Sequence, residues 1–542
     1  MKKNLLGISL LTMTCLYGLL AAIIILVCMY TTIPIIYGIV ASIIILILQF
    51  LISPFLTDIT MKWFYGATFE NNLPDYVNNF IDQICNKYNM KKPRIGYIND
   101  GAPNAFTYGR TKNDARIILT RGIFEILTPE EVLAVVGHEL GHATHYDMLF
   151  MTVAQIVPLV LYGIYETFTK SSSNNSNNKN SYAAIIGLIA YILYIISQYI
   201  VLFLSRTREY YADSFSIEET RNPNALSQAL IKIGYGLTTR ANNETDKKKK
   251  HSAAKSNALG IFDSKTSKTL VVSSFDEGTI SKENIKNAMK WEEWNVWAKF
   301  YELSSTHPLI SKRINAISKR SAEFNQQPFI NFDLQKPESY VDDFVIELII
   351  KYLPLLSLIL LTIISLLLIP TGNTQLSVLI ILIGGIIAIL LSYIKYARYY
   401  NNKNYKQAKV SDLLSEVKVS GVTSIPCQIE GKIIGRGNPG CILSEDFVIQ
   451  DETGIIFLDY NQPLKTINKL FAIFKSKEYF DKTVKIKGWY RRSPVPYIEI
   501  KTMEMDGKIK KIHTNIWTLV LRVILIIMYI LFLLSFATIL SI

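Results

Sequence analysis

The chain has 542 residues, half of them hydrophobic and only 19% charged, a balance that excludes an ordinary soluble domain and suits a chain with much of its length in lipid. Its formal charge of +13 would allow a nucleic-acid partner, but Lys and Arg also gather in the cytoplasmic loops of membrane proteins, and that topological explanation comes first. The five cysteines (Cys15, Cys28, Cys85, Cys427 and Cys441) form no CxxC pair, so neither a thiolate metal site nor a disulfide framework is indicated.

Taken in chain order, the first element is Leu5–Tyr30, which carries no charge and exceeds the ~20 apolar residues a bilayer crossing needs. It follows Lys2 and Lys3, yet it is longer than a signal-peptide core, lacks a clear cleavage site and is followed at once by Ile33–Leu56. The two make a transmembrane hairpin over residues 1–56. Further crossings are expected at Met148–Tyr165, Tyr182–Leu204, Tyr352–Pro370, Leu376–Ile394 and Ile516–Ile542, the first of these short and carrying Pro158. With the N-terminus inside, the external connections contain only Lys170 and Lys179, which places the polar regions in the cytoplasm. The expected plan is a core over 57–343 that includes two crossings (148–165 and 182–204), a second hairpin over 344–395, a β-rich domain over 396–514 and a last crossing over 515–542. The chain is thus mainly α.

Between the crossings, Ser171–Ser181 and Ala241–Asn257 are polar, low-complexity connectors. Ala115–Thr120 has the β-branched content of a strand, and Asn104–Tyr108 precedes it across a polar turn. Four short strand-like runs, Ser420–Ile434, Phe447–Phe457, Thr483–Tyr490 and Tyr497–Thr502, suggest a small barrel or sandwich, with an OB-like fold among the options.

The chemistry is concentrated in two helical segments. Thr128-Pro-Glu-Glu131 starts a helix with a capping box and Pro in its first turn. That helix carries His138 and His142, one turn apart and about 40° around the axis, close enough to share one ion. Glu139 projects beside that face, where it can take a proton from water. Two helix-surface histidines would satisfy the same pattern. The second segment, Ser205–Asp213 (SRTREYYAD), presents Glu209 and Asp213 on one face. Glu209 can complete a three-ligand zinc site, and Asp213 can accept the free ring N–H of a ligating histidine. The bland alternative is a surface carboxylate pair bridged to Arg206 or Arg208. His145 lies ~10 Å along the axis from His138, too far to share its ion.

These segments, followed by Ser305-Thr-His307-Pro308 and Arg313-Ile314, resemble the membrane zinc metallopeptidases that include HtpX and the CAAX prenyl proteases. The resemblance covers a little under half of the chain. It implies a helical gluzincin core, one Zn2+ per chain held by His138, His142 and Glu209, Glu139 as general base and Asp213 in support. It also implies that Asn104, Ala105 and Phe106 align an extended substrate by edge pairing, and that His307 stabilises the oxyanion. Arg313 is expected to orient its element rather than touch substrate. Protein or peptide substrates, membrane proteins among them, are expected on the cytoplasmic side, with a prenyl-protein protease as the alternative. Two departures stand out: a long polar insertion over Gly236–Lys299, and the region after the core.

Trp489-Tyr-Arg-Arg492 mixes aromatic and basic residues as single-strand binders do. Cations exceed anions only modestly around it, so nucleic acid is an unfavoured partner. A membrane scaffold with an inert site is the remaining class, and the intact motifs argue against it.

Overall fold

The first apolar run folds as one helix, α1 (Lys2–Thr31), and the second lies mostly in α2 (Ile35–Tyr65). The structure is a computed structural model; it describes residues 2–31, 35–65, 67–69, 73–98, 104–173, 180–235, 275–276, 279–280, 282–330, 336–368, 371–400, 404–436, 446–453, 455–460, 476–479, 482–493 and 496–540. Most of the expected polar insertion over 236–299, and the loop around Lys247–Lys250, therefore lie outside the described residues. Contacts divide the chain into two units. One takes in Met1–Thr269 and Phe300–Phe332; the other takes in Leu270–Lys299, Asp333–Asn438 and Ile442–Ile542.

In the first unit, α3 (Asp75–Lys87) buries Val77, Ile81, Ile84 and Cys85 along one stripe, as an amphipathic helix does. A three-stranded sheet follows: β1 (Arg94–Ile98), β2 (Ala105–Gly109) and β3 (Ala115–Thr120). The order is β1-β3-β2, with β3 central and buried along its length and β2 at an edge. The expected strand at Asn104–Tyr108 thus begins one residue later. Past α4 (Arg121–Ile126) comes α5 (Pro129–Thr144). Its capping box is formed: the Thr128 N–H donates to Glu131 Oε2 at 2.8 Å, and the Glu131 N–H donates to the Thr128 hydroxyl at 3.4 Å.

The next two helices differ from their expected lengths. The third crossing is not short: α6 spans Asp147–Ser173 and runs through Pro158, a residue that helices in lipid tolerate when neighbours satisfy the freed carbonyl. The fourth does not stop at Leu204. As α7 it continues unbroken from Asn180 to Thr220, because no Gly or Pro follows Leu204 until Pro223. These bounds also give both ends of the Ser171–Ser181 connector to helices. α8 (Pro223–Tyr235) closes this run.

In the second unit, a short hairpin of β4 (Phe275–Asp276) and β5 (Thr279–Ile280) precedes α9 (Lys282–Trp294). α10 (Val296–Glu302) and α11 (Ile310–Arg320) lead back through the first unit. α12 (Val341–Leu368) and α13 (Thr374–Tyr399) form an apolar pair, and a final helix covers Thr514–Leu540. Between them lie β6 (Lys406–Gln407), α14 (Val410–Ser415), β7 (Ile425–Arg436), β8 (Phe447–Gln450), β9 (Ile455–Asp459), β10 (Thr483–Arg492), β11 (Pro496–Met505) and β12 (Lys508–Lys511). The strands β7-β8-β9-β11-β10 pair in that order and β10 returns to β7, which closes a five-stranded barrel; β9 and β11 run parallel, the remaining barrel pairs antiparallel. The single run expected over Phe447–Phe457 is two strands, because the Asp451 side chain accepts the Thr453 N–H at 2.7 Å and turns the chain.

Six helices among the described residues are long and apolar enough to cross a membrane: Gly7–Cys28, Asp147–Thr169, Ala183–Thr220, Val341–Ser365, Thr374–Tyr399 and Asn515–Ser535. Large apolar side chains such as Leu11, Leu188, Leu355, Leu390 and Leu525 face outward from them, a surface that suits lipid and not water. The chain is a multi-pass membrane protein.

Candidate metal centre

The site begins with how closely α5 and α7 can approach. A Cβ on Gly141 would stand 3.1 Å from Ala212 Cα and from Phe215 Cβ, so the glycine between His138 and His142 lets the two backbones meet. Ser216 fixes the crossing by donating to the Ala134 carbonyl at 2.6 Å. The one-turn spacings on each helix then face one another.

His138 Nε2 and His142 Nε2 come within 3.1 Å of each other. The Glu209 carboxylate lies 3.5 Å from the first and 3.6 Å from the second. One donor atom from each of the three falls within 4.8 Å of the others, and the group is largely buried, with side-chain exposures of 12%, 18% and 7%. Behind the rings, Asp213 Oδ1 stands 3.0 Å from His138 Nδ1, and Asp147 Oδ2 stands 2.7 Å from His142 Nδ1. A carboxylate behind each Nδ1 fixes a proton there, so that each ring, once neutral, turns its Nε2 lone pair inward. Two imidazoles and a carboxylate converging with their outer nitrogens already engaged is the donor set of a catalytic zinc, and the residues fit the ion.

Charge around the cluster is balanced by Arg313. Its fork meets Asp213 at 2.9 and 2.5 Å and reaches Glu209 Oε2 at 3.1 Å. Arg313 therefore serves the two carboxylates, not its own element alone. Neither Arg206 nor Arg208 bridges the carboxylate pair. Burial alone would lower the His138 pKa, but the hydrogen bonds and charges of Asp213 and Glu209 raise it to about 10. Burial and the neighbouring His138 charge push His142 down instead. The pair thus shares one proton unequally.

Glu139 is buried beside the ligands, and its Oε2 accepts the Thr107 hydroxyl at 2.8 Å. Thr107 belongs to the edge strand β2, which carries no strand on its far side among the described residues. Of the three residues expected to align substrate, Asn104 is engaged with the sheet: its N–H donates to Thr120 Oγ1 at 2.8 Å and its carbonyl accepts the Thr120 N–H at 3.0 Å. Phe106 packs on the small cluster around Met61, Ile98 and Ile118. Ala105, with Thr107, is half-buried on the strand.

His307 sits on the loop before α11 with its side chain 49% exposed and its Nε2 3.4 Å from Glu209 Oε1. Arg206 holds that loop by donating to the Glu302 and Ser305 carbonyls, both at 2.8 Å. His145 caps the end of α5 and sets its ring against Phe215 at 5.6 Å. Sequence reasoning missed Asp147, Thr107 and Arg206. The signal for Thr107 was available: it is two residues past Ala105 and so shares its face of the strand. Asp147 lies beyond the end of α5, where helical periodicity says nothing.

In the second unit the aromatic–basic run is interior. Trp489, Tyr490, Arg491 and Arg492 are each at most 1% exposed, so none of the four is presented for base stacking.

The model of peptidase family M48 matches residues 72–321. A protease HtpX homolog of Methanothermobacter thermautotrophicus is 38% identical over 187 residues, 34% of this chain and 69% of that one. Protease HtpX homolog 2 of Methanosarcina acetivorans is 30% identical over 197 residues, 36% of this chain and 66% of that one. Protease HtpX of Legionella pneumophila is 28% identical over 178 residues, 32% and 63% of the two chains. The alignments thus span 63–69% of these relatives' own length. Among solved structures, S. mikatae Ste24p aligns with a TM-score of 0.34 at 15% identity, over 57% of this chain and 65% of that one, a likeness too slight to build on.

Proposed function

The chain belongs to peptidase family M48, and from that premise we propose that it is a zinc-dependent endopeptidase of the membrane, working on the cytoplasmic face. The observation that carries this reading is the convergence of His138, His142 and Glu209 on one point. Zinc held there supplies Lewis acidity toward water and the scissile carbonyl. Glu139 takes the proton of the attacking water and returns it to the leaving amine. Asp213 and Asp147 hold the two rings in one tautomer, and Arg313 keeps the carboxylates in place. His307, half-exposed at the rim, donates to the oxygen that gains charge. The free edge of β2 aligns an extended substrate backbone, with Ala105 and its neighbours setting the register.

We assign residues 57–343 to the peptidase core, 1–56 and 344–395 to membrane hairpins, 396–514 to the β domain and 515–542 to the last crossing. The strand order of the barrel, with its parallel β9–β11 pair, supports an OB-like fold, which we assign to presenting substrates or partners. Membrane proteins in need of removal are the proposed substrates, and the scarcity of cations in the connections expected outside supports the cytoplasmic orientation.

The test uses the full chain in detergent. Glu139→Gln is expected to keep its zinc and to lose casein cleavage by a factor of a hundred or more, at the lower end of what general base catalysis contributes. A wild-type protein that cleaves casein without metal would overturn the reading. Faster cleavage of a farnesylated CAAX peptide than of casein would move the substrate class to prenyl proteins.

A further inference from the structure

One face of the metal centre leads away from it into the membrane. Asp147 holds His142 Nδ1 with one carboxylate oxygen, at 2.7 Å, and gives the other to Arg208. The Arg208 guanidinium donates through its second arm to Ser9 Oγ at 3.0 Å, lies over the Phe150 ring at 4.3 Å and reaches the His145 carbonyl at 3.5 Å. All three polar residues are buried: Asp147 is 4% exposed, Arg208 2% and Ser9 0%. Ser9 belongs to α1, the first membrane helix, 199 residues earlier in the chain than Arg208.

We propose that Asp147 and Arg208 are positioning residues of the metal centre, anchored by Ser9, so that the first membrane helix sets the aim of the ligand His142. The proposal rests on the zinc-peptidase reading above. A neutral imidazole offers one N–H and one lone pair, and Asp147 decides which nitrogen keeps the proton. A buried carboxylate with no second partner would be costly to keep and free to turn away from the ring. Arg208 prevents this by holding the other carboxylate oxygen in an ion pair. The guanidinium in turn needs its N–H groups satisfied where water is scarce, and Ser9 supplies an acceptor. A polar side chain turned inward on a membrane helix, with a buried ionic partner, is the arrangement expected of a functional contact. An ordinary structural ion pair would hold α6 to α7 equally well but would not need its other carboxylate oxygen on a metal ligand.

The experiment measures zinc affinity by chelator competition, and the absorption spectrum of bound Co2+, in the detergent-purified full chain. Asp147→Asn is expected to weaken zinc 10- to 100-fold, the usual effect of losing the group behind a ligating histidine. Arg208→Gln should fall in the same range, and Arg208→Lys should recover part of it. Ser9→Ala should weaken zinc about fivefold, one hydrogen bond's contribution. Because Arg208 acts through Asp147, the double variant Asp147→Asn/Arg208→Gln should bind no more weakly than Asp147→Asn alone. The Co2+ spectrum should shift in each variant that weakens zinc.

Wild-type zinc affinity in folded Asp147→Asn and Arg208→Gln would overturn the proposal. So would a double variant whose loss is the product of the two single losses. If Asp147→Asn fails to fold, Arg208→Lys and Ser9→Ala carry the test, and wild-type affinity in both refutes it. His142→Ala separates the two levels of inference. Zinc binding that survives this change would refute the metal site itself, whereas its loss alongside unaffected Asp147 and Arg208 variants would refute only the link to α1.

Discussion

Each unit of this protein buries arginines among aromatic rings, and the two do so to opposite ends. In the first, Arg313 and Arg208 each meet a carboxylate that is itself turned toward a histidine, so the buried charges form two lines ending at one point. In the second, Arg491 pairs with Glu499 at 3.1 Å and lies 5.0 and 5.2 Å from the Tyr399 and Tyr400 rings. Arg492 lies over Trp291 at 4.6 Å and donates to the Ala288 carbonyl at 3.0 Å. Those charges end on main-chain oxygens, ring faces and the Glu499 carboxylate, whose other oxygen accepts the Tyr400 hydroxyl at 2.9 Å, and none of these leads on to a histidine. Burial of charge is thus not the mark of a site. The mark is a polar group whose partner has a second polar obligation facing a shared space.

The comparison is sharpest under substitution. Arg313→Ala leaves Asp213 and Glu209 buried without their counter-charge, and about 3–5 kcal/mol of stability should go with it, together with most of the zinc affinity. Trp489→Ala should cost a similar ~3–5 kcal/mol in the β domain through its cavity while zinc binding and peptide cleavage per folded molecule stay as they were. Denaturant unfolding and zinc titration of both variants check the pair. A loss of zinc in Trp489→Ala would break the distinction drawn between the regions.

What the sequence revealed of each region follows from the range of the physics involved. HExxH and ExxxD are readable because one turn of helix fixes which side chains share a face. Only the meeting of the two helices had to be supposed, and Gly141 permits it. Asp147 was not readable, because the chain leaves α5 through His145 and through Tyr146 in a left-handed conformation, φ 57°, and no periodicity crosses such a bend. The barrel strands were readable from alternation and turn residues, apart from the Asp451 turn that divides one run. The Trp489–Arg492 run was ambiguous for another reason. A strand shows which residues alternate but not what covers the outward face, and here Trp291, Tyr399 and Tyr400 cover it.

A smaller effect separates the regions by pH. His138, held protonated up to about 10 by Asp213 and Glu209, must release its proton before zinc can take the lone pair. Zinc affinity should therefore climb as pH rises from 6 toward 10 and decline as it falls, by up to about tenfold per unit where one proton is exchanged. Isothermal titration in buffers of differing ionisation heat would count that proton. Substitutions in the β domain should leave the count unchanged; a count of zero in wild type would mean that His138 is neutral before the metal arrives.

The smallest effect tests how substrate alignment and proton transfer are joined. The Thr107 hydroxyl lies 2.8 Å from Glu139 Oε2 and 3.1 Å from the Glu139 carbonyl, so the strand that offers its edge to substrate also holds the carboxylate that takes the proton. Thr107→Val keeps the β-branched shape the strand favours and removes only the donor. The expected result is unchanged zinc content, unchanged KM for casein and a kcat lowered about fivefold, matching the ~1 kcal/mol of one hydrogen bond, with Thr107→Ser restoring the rate. A raised KM at constant kcat would mean instead that Thr107 shapes the edge and leaves Glu139 to itself, because a carboxylate already held by the helix loses nothing when the hydroxyl goes.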